Sequence, residues 1–372
     1  MKRLGFGCSR LPLIDNTDRR SIDTDEVQRM VDEFLARGFD CFDVAATYHD
    51  GCCETAMRRA LVERHPRDRY RLCDKLPTMM VERADQQQRI FSEQLQRCGV
   101  ERFDRYMIHC ATDELYARAE ALGSFGFMMR KRDEGRIGEA GFSFHGSPEL
   151  LDRILASHPE VDFVQLQINY VDWYTAPASA RRCYETARRH GKRIVAMCSQ
   201  KGGLLAAVPA SAESMMRAVN PDQSPSEWAL RFAASPEGVD MVLSGMSSLE
   251  EVRQNCAAME NPQPPDGLEL ETLARAAAEI VGASPVQCTA CGYCTAGCPA
   301  RIPIPDYLSL YNSLVGKRKP ARTKARRHQS PDTGGRGAAS SCMACGRCER
   351  ICPQRLRIIE PLRRMAACAA TP

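Results

Sequence analysis

The chain has 372 residues, 44% of them hydrophobic and 26% charged, an ordinary soluble composition long enough for one large domain and a small one. Its net charge of +4 is small for that length and makes no electrostatic case for nucleic-acid binding. No run reaches the ~18 uncharged apolar residues of a membrane span, and the start, MKRLGFGCSR, shows no apolar export segment, so the nineteen cysteines are expected to be reduced, cytoplasmic and partly metal-binding.

From residue 3 to about 280, strand-like and helix-like segments alternate. LGFGCSRL, CFDVAATY, YRLCDKL, DRYMIHC, IGEAGFSF, VDFVQLQINY, RIVAMCS and VDMVLSG are apolar and rich in Val, Ile and Phe, as strands buried on both faces are. TDEVQRMVDEFLARG has helical period, with Val27, Met30, Val31 and Phe34 on one face, Thr24 as N-cap and Gly38 as terminator. Ser224-Pro225-Ser226-Glu227 opens a later helix, with capping-box spacing and proline at the first helical position. Eight strands alternating with helices over roughly 270 residues predict a (β/α)8 TIM barrel. The rival doubly wound sheet shows a GxGxxG fingerprint after its first strand, which GFGCSRL lacks.

Composition changes at residue 283. A helix is expected within IPIPDYLSLYNSL, residues 302–314, followed by a basic insert over 315–341 rich in Pro, Gly and Ser. Its basic half reads as a solvated loop, with docking of an acidic redox partner as the alternative. The expected organisation is a barrel over 1–282 and a small α+β ferredoxin-type domain over 283–372.

Two cysteine runs flank the insert: Cys288, Cys291, Cys294, Cys298-Pro299, and Cys342, Cys345, Cys348, Cys352-Pro353. Each has the C-x2-C-x2-C-x3-C-P spacing of bacterial ferredoxins, in which the fourth cysteine ligates the other cluster. That rule assigns Cys288, Cys291, Cys294 and Cys352 to one [4Fe–4S] cluster and Cys342, Cys345, Cys348 and Cys298 to a second. Zinc also uses CxxC pairs, but gives no reason for three evenly spaced cysteines and a Cys-Pro, twice. Ten further cysteines are scattered through the first 282 residues and read as small buried hydrophobes.

Barrel chemistry gathers at the C-terminal ends of strands. There the sequence offers Asp43 and Tyr48, then Lys75, then His109. An ammonium beside a phenol favours phenolate and lowers its pKa from about 10. Asp43 would hold Lys75, His109 would hydrogen-bond a substrate oxygen, and Tyr48 would protonate a carbonyl as hydride arrives.

FDVAATYHDGCCE, DKLP, MIHC and GFGCSRLP together resemble the aldo/keto reductase superfamily, and with the tail the chain resembles its subgroup carrying C-terminal ferredoxin-type clusters. The resemblance covers residues 3–280. It implies Asp43, Tyr48, Lys75 and His109 as the catalytic tetrad, nicotinamide-dependent chemistry on a small carbonyl or alcohol, and Ser143, Gln167 and Asn255 as cofactor contacts. The sequence also departs from the family. Phe144 and His145 stand where an asparagine is expected, and Met197 stands where a stacking tyrosine is. Gly245, Met246 and Glu251 replace the groups that grip the 2′-phosphate of NADPH, with Arg253 as the nearby counter-cation, so NADH, NADPH and a flavin stay open. Nicotinamide carries electrons in pairs and clusters carry them singly, so coupling the two calls for a flavin such as FMN. Three readings follow: a carbonyl oxidoreductase exchanging electrons through two clusters, and through them with a redox partner protein; an ordinary NAD(P)H-dependent reductase with structural or sensing clusters; or an electron-transfer module without carbonyl chemistry.

Overall fold

In the computed structural model the chain is described over residues 2–16, 18–175, 180–315 and 337–370. Eight strands form: β1 (Leu4–Gly7), β2 (Cys41–Asp43), β3 (Arg71–Leu76), β4 (Phe103–Ala111), β5 (Ile137–Phe144), β6 (Phe163–Gln167), β7 (Arg193–Met197) and β8 (Val239–Gly245). All neighbours pair in parallel and in chain order, and β1 pairs with β8, so the sheet closes as a (β/α)8 barrel. No helix among the described residues is long and apolar enough to cross a membrane.

Local chemistry trims the expected elements. The strand read from CFDVAATY stops at Asp43; the Val44 amide still donates to the Cys73 carbonyl at 2.9 Å, while the Val44 carbonyl accepts from Lys75 Nζ. The segment VDFVQLQINY is a strand only to Gln167. Asn169 then accepts from the Asp172 amide at 2.9 Å and starts the helix Tyr170–Thr175. The helix Thr24–Ala36 is capped by Asp23, not Thr24: the Asp23 carboxylate accepts from the Glu26 amide at 3.0 Å and adds negative charge at the positive helix end.

Strand alternation sets what faces the barrel axis. Cys41, Cys73, Met107, Phe163, Val195, Met241 and Leu243 form one buried inner cluster. Two residues further along their strands stand Asp43, Lys75, His109, Gln165, Met197 and Gly245, so an apolar floor supports a polar layer toward the C-terminal end. At the other end Arg105 pairs with Glu139 and Asp240, both at 2.7 Å. Of the ten scattered cysteines, eight are buried and Cys52 and Cys198 are half-buried.

The described chain divides into two compact units, Met1–Gln200 with Ser226–Gly267, and Lys201–Pro225 with Leu268–Pro372. The second holds the helices Ile304–Val315 and Ile359–Ala370 over a core that includes Ile302, Leu308, Ile358, Leu362 and the cysteines Cys294 and Cys348. Among its described residues there are helices and loops and no strand. Most of the basic insert, residues 316–336, lies outside the described residues. Within this unit Gly202, at φ +70°, lies against the loop between Cys288 and Cys291: a Cβ there would sit 2.6 Å from Thr289 Cα.

In the barrel, a Cβ on Gly141 would sit 2.4 Å from the Phe163 carbonyl oxygen of the neighbouring strand. Backbone in a closed sheet cannot yield cheaply, so Gly141→Ala is expected to cost about 1–3 kcal/mol and to lower the thermal midpoint by several degrees, read by circular dichroism.

Candidate functional site

Lys75 and Asp43 form a buried ion pair, Nζ to Oδ1 2.5 Å, with side chains 1% and 4% exposed. Lys75 Nζ also donates to the Val44 carbonyl at 2.7 Å. Burial raises the pKa of Asp43, and Lys75 and then Arg105 pull it back down. Tyr48 stands over this pair, with Lys75 Nζ 4.9 Å from its ring centroid. The rings of Tyr48 and His109 meet edge to face at 6.1 Å. The structure therefore brings Asp43, Tyr48, Lys75 and His109 together.

Their electrostatics differ from expectation in one respect. The Tyr48 phenol is held well above its ordinary pKa, not below it. Burial is the largest cause, followed by the Asp43 carboxylate and by Cys53, Cys198 and Cys8. Lys75 sits beneath the ring face and its charge is matched by Asp43, so it does not offset them. His109 is pushed well below the usual histidine range by burial, by Lys75 and by His145, and is neutral at physiological pH.

Several supporting residues carry no sequence signal of their own. Behind Lys75, Gln94 Nε2 donates to the Lys75 carbonyl at 2.9 Å and to Glu54 Oε1 at 3.1 Å, and Tyr106 donates to Gln94 Oε1 at 2.6 Å. The Lys75 amide donates to Asp74 Oδ1 at 2.8 Å, and Arg97 pairs with Glu54. Burial, then the nearby Glu54, keep the Asp74 carboxyl well above its ordinary range. His49, at φ +51°, follows Tyr48 directly; its Nε2 accepts from the Leu11 amide at 3.1 Å and its Nδ1 lies 3.1 Å from the Arg19 carbonyl. An amide donor at Nε2 leaves Nδ1 as the protonated nitrogen. The only sequence trace of these groups is a cluster of charged and amide residues beside strands otherwise apolar on both faces.

The three expected cofactor contacts are not in one cluster. Ser143 Oγ accepts from the Cys110 amide at 2.7 Å and so fixes the backbone just after His109. Gln167 Oε1 lies 3.0 Å from His145 Nδ1, which puts His145, read from sequence only as a departure, beside both Gln167 and His109. Asn255 belongs to a separate network with Ser244, Gln200 and Ser226.

In the second unit the eight clustered cysteines line two cavities. Cys288, Cys291, Cys294 and Cys352 line one; Cys298, Cys342, Cys345 and Cys348 line the other. The fourth cysteine of each run thus joins the first three of the other run. Burial and the neighbouring thiols Cys291, Cys288 and Cys352 push Cys294 up to about 12, and burial with Glu349 pushes Cys348 up to about 11. A bound cation that takes such buried thiols as thiolates would offset that cost. Four convergent sulfurs at each cavity fit an iron–sulfur cluster.

Residues 3–269 match the aldo/keto reductase family model. The chain belongs to the aldo/keto reductase family. Residues 287–358 of this family member match a 4Fe-4S dicluster domain, so an oxidoreductase barrel carries a ferredoxin-type tail. Solved structures of similar fold include the aldo-keto reductase AKR11C1 from Bacillus halodurans in its holo form (21% identity, 74% of this chain and 91% of that one, TM-score 0.56). An aldo-keto reductase from Klebsiella pneumoniae in complex with NADPH is similar at 20% identity (73% and 90% of the chains, TM-score 0.56). An aldo/keto reductase from Brucella melitensis is similar at 16% identity (73% and 94%, TM-score 0.55). Among curated proteins no match is found.

Around the N-terminus of the helix Leu249–Glu260 this reductase places its own carboxylates. Glu251 Oε2 accepts from the Ser247 amide at 2.7 Å and Glu26 Oε1 accepts from the Leu249 amide at 2.9 Å. Arg253 reaches Glu33 at 3.6 Å, so its charge is directed to the helix Thr24–Ala36.

The low pKa of His109 has a consequence for stability. An unfolded histidine binds a proton near pH ~6.5, while folded His109 resists it, so its contribution is complete above that pH and is lost as pH falls toward the lower folded value. Urea midpoints at pH 7.5 and 5.5 should therefore differ less in His109→Gln than in the unmodified chain.

Proposed function

We propose that this aldo/keto reductase interconverts a carbonyl and an alcohol group on a small molecule and exchanges electrons through two [4Fe–4S] clusters. The observation that carries the reading is the presence, in one chain, of the Asp43–Lys75–Tyr48–His109 constellation and of two four-cysteine cavities. The boundary at residue 283 belongs to the same proposal, with carbonyl chemistry in 1–282 and the clusters in 283–372. Reduced thiols fit a cytoplasmic protein.

A bound nicotinamide supplies or accepts hydride, and the clusters supply single-electron transfer. The chain does the rest. Tyr48 is fully protonated at neutral pH, because burial and Asp43 keep it so, and it gives that proton to the carbonyl oxygen. Asp43 holds Lys75 against the Tyr48 ring face and so fixes where the phenol stands. Neutral His109 donates a hydrogen bond to the same substrate oxygen and orients the carbonyl. Ser143 and Gln167 would bind the nicotinamide amide, and Asn255 the adenosine end of the cofactor. The carboxylate of Glu251 disfavours a 2′-phosphate, so NADH is the expected nicotinamide. Exchange between a two-electron nicotinamide and a one-electron cluster calls for a flavin as intermediary.

Anaerobic titration with NADH, then NADPH, tests the reading by the cluster absorption. Bleaching, stronger with NADH, is expected, and the same sample is then assayed for flavin. Nicotinamide oxidation on adding a carbonyl, with no bleaching, would reassign the clusters to a structural or sensing role. Tyr48→Phe should lower turnover at least about 10²-fold with an unchanged circular dichroism spectrum; near-normal turnover would refute the proton-donor role. Cys291→Ala and Cys345→Ala should each remove about half of the roughly eight iron atoms expected of two four-iron clusters, measured by colorimetric iron assay.

A further inference from the structure

The two cysteine cavities differ in what surrounds them. The cavity of Cys288, Cys291, Cys294 and Cys352 is lined otherwise by Thr289, Gly292, Pro305, Leu308 and similar uncharged residues. The backbone of Thr289 is covered by Gly202. The cavity of Cys298, Cys342, Cys345 and Cys348 opens differently. Cys345 is exposed, Met343 is 65% exposed, and Arg347 lines the cavity wall. Arg350, also exposed, donates to the Cys345 carbonyl at 3.4 Å. Among the described residues neither arginine has a carboxylate partner. The one acid of the run 341–352, Glu349, is turned inward and accepts from the amides of Ile358 and Ile359 at 2.7 and 2.9 Å.

We propose that this rim, Met343, Cys345, Arg347 and Arg350, is the docking face for an acidic one-electron carrier protein, which makes the second cluster the port. The proposal rests on the electron-exchange reading above. An exposed ligand cysteine brings the cluster near the surface, where a carrier's redox centre can approach it. An exposed methionine supplies an adaptable apolar contact. Two guanidinium groups without a carboxylate partner among the described residues select an acidic partner and steer it, as suits the small, salt-sensitive interfaces of electron-transfer encounters.

The test uses the full iron-loaded chain and, as probe, an acidic flavodoxin with its FMN oxidised, titrated calorimetrically at low and high salt. Affinity should fall with salt, and Arg347→Glu/Arg350→Glu should weaken low-salt binding about tenfold or more at unchanged iron content. Arg59→Glu, a charge reversal at an exposed arginine of the barrel unit, should leave it within about twofold. The proposal fails if the unmodified chain does not bind at low salt, if the double variant binds equally well, or if Arg59→Glu weakens binding as much. Self-association that the double variant abolishes would give the face to a second copy of the chain and equally overturn it. Because an oxidised probe receives no electrons from an oxidised chain, this result is independent of cluster bleaching. A failed port with successful bleaching leaves the electron-exchange reading intact.

Discussion

Two opposite charges, Lys75 and Asp43, meet at 2.5 Å in the barrel with almost no access to water. Removing either partner would leave an uncompensated buried charge, at a cost of about 3–5 kcal/mol. The surroundings are arranged around that constraint. The Val44 carbonyl, just past the end of the three-residue β2, takes a second proton of the ammonium. Gln94 and Asp74 hold the peptide groups on both sides of Lys75, and Glu54, Arg97 and Tyr106 hold them in turn. The position of the lysine is thus over-determined, which is what a site needs if its geometry is to survive ligand binding.

The same pair shapes the behaviour of its neighbours. Lys75 is matched by Asp43, so it does not drive Tyr48 toward phenolate, but it still helps to keep His109 neutral. The result is a phenol that keeps its proton and an imidazole that stays uncharged, two hydrogen-bond donors of different acidity facing one region. A free ammonium would have lowered the phenol's pKa while still keeping the imidazole uncharged.

The cysteine-bearing unit is governed by a different constraint. Eight cysteines line two cavities in groups of four, and crossing the fourth cysteine of each run to the other cavity ties the chain on either side of the insert into one core. The asymmetry between the cavities then comes from residues the ligand pattern leaves unspecified. Thr289 meets Gly202 on one side, while Met343, Arg347 and Arg350 face solvent on the other.

The barrel, its eight strands and the partition of the eight cysteines are legible in the sequence, because continuous apolar runs alternating with helical periods, and fixed ligand spacing, are local signals. Asp43, Tyr48, Lys75 and His109 are legible for a related reason: strand ends of a barrel converge, so residue type and position imply proximity. Other features depend on which side chains far apart in sequence share a hydrogen bond, and local pattern does not encode that. They include the three-residue β2, the Asp23 cap, the His145–Gln167 contact, the grip of Gln94 and Asp74 on Lys75, and the raised pKa of Tyr48. The sequence by itself determined which groups enter the barrel mouth and the cysteine cavities. Only the tertiary structure decided how burial and neighbouring charge set their protonation, since desolvation is a property of the packed surroundings and not of the residue.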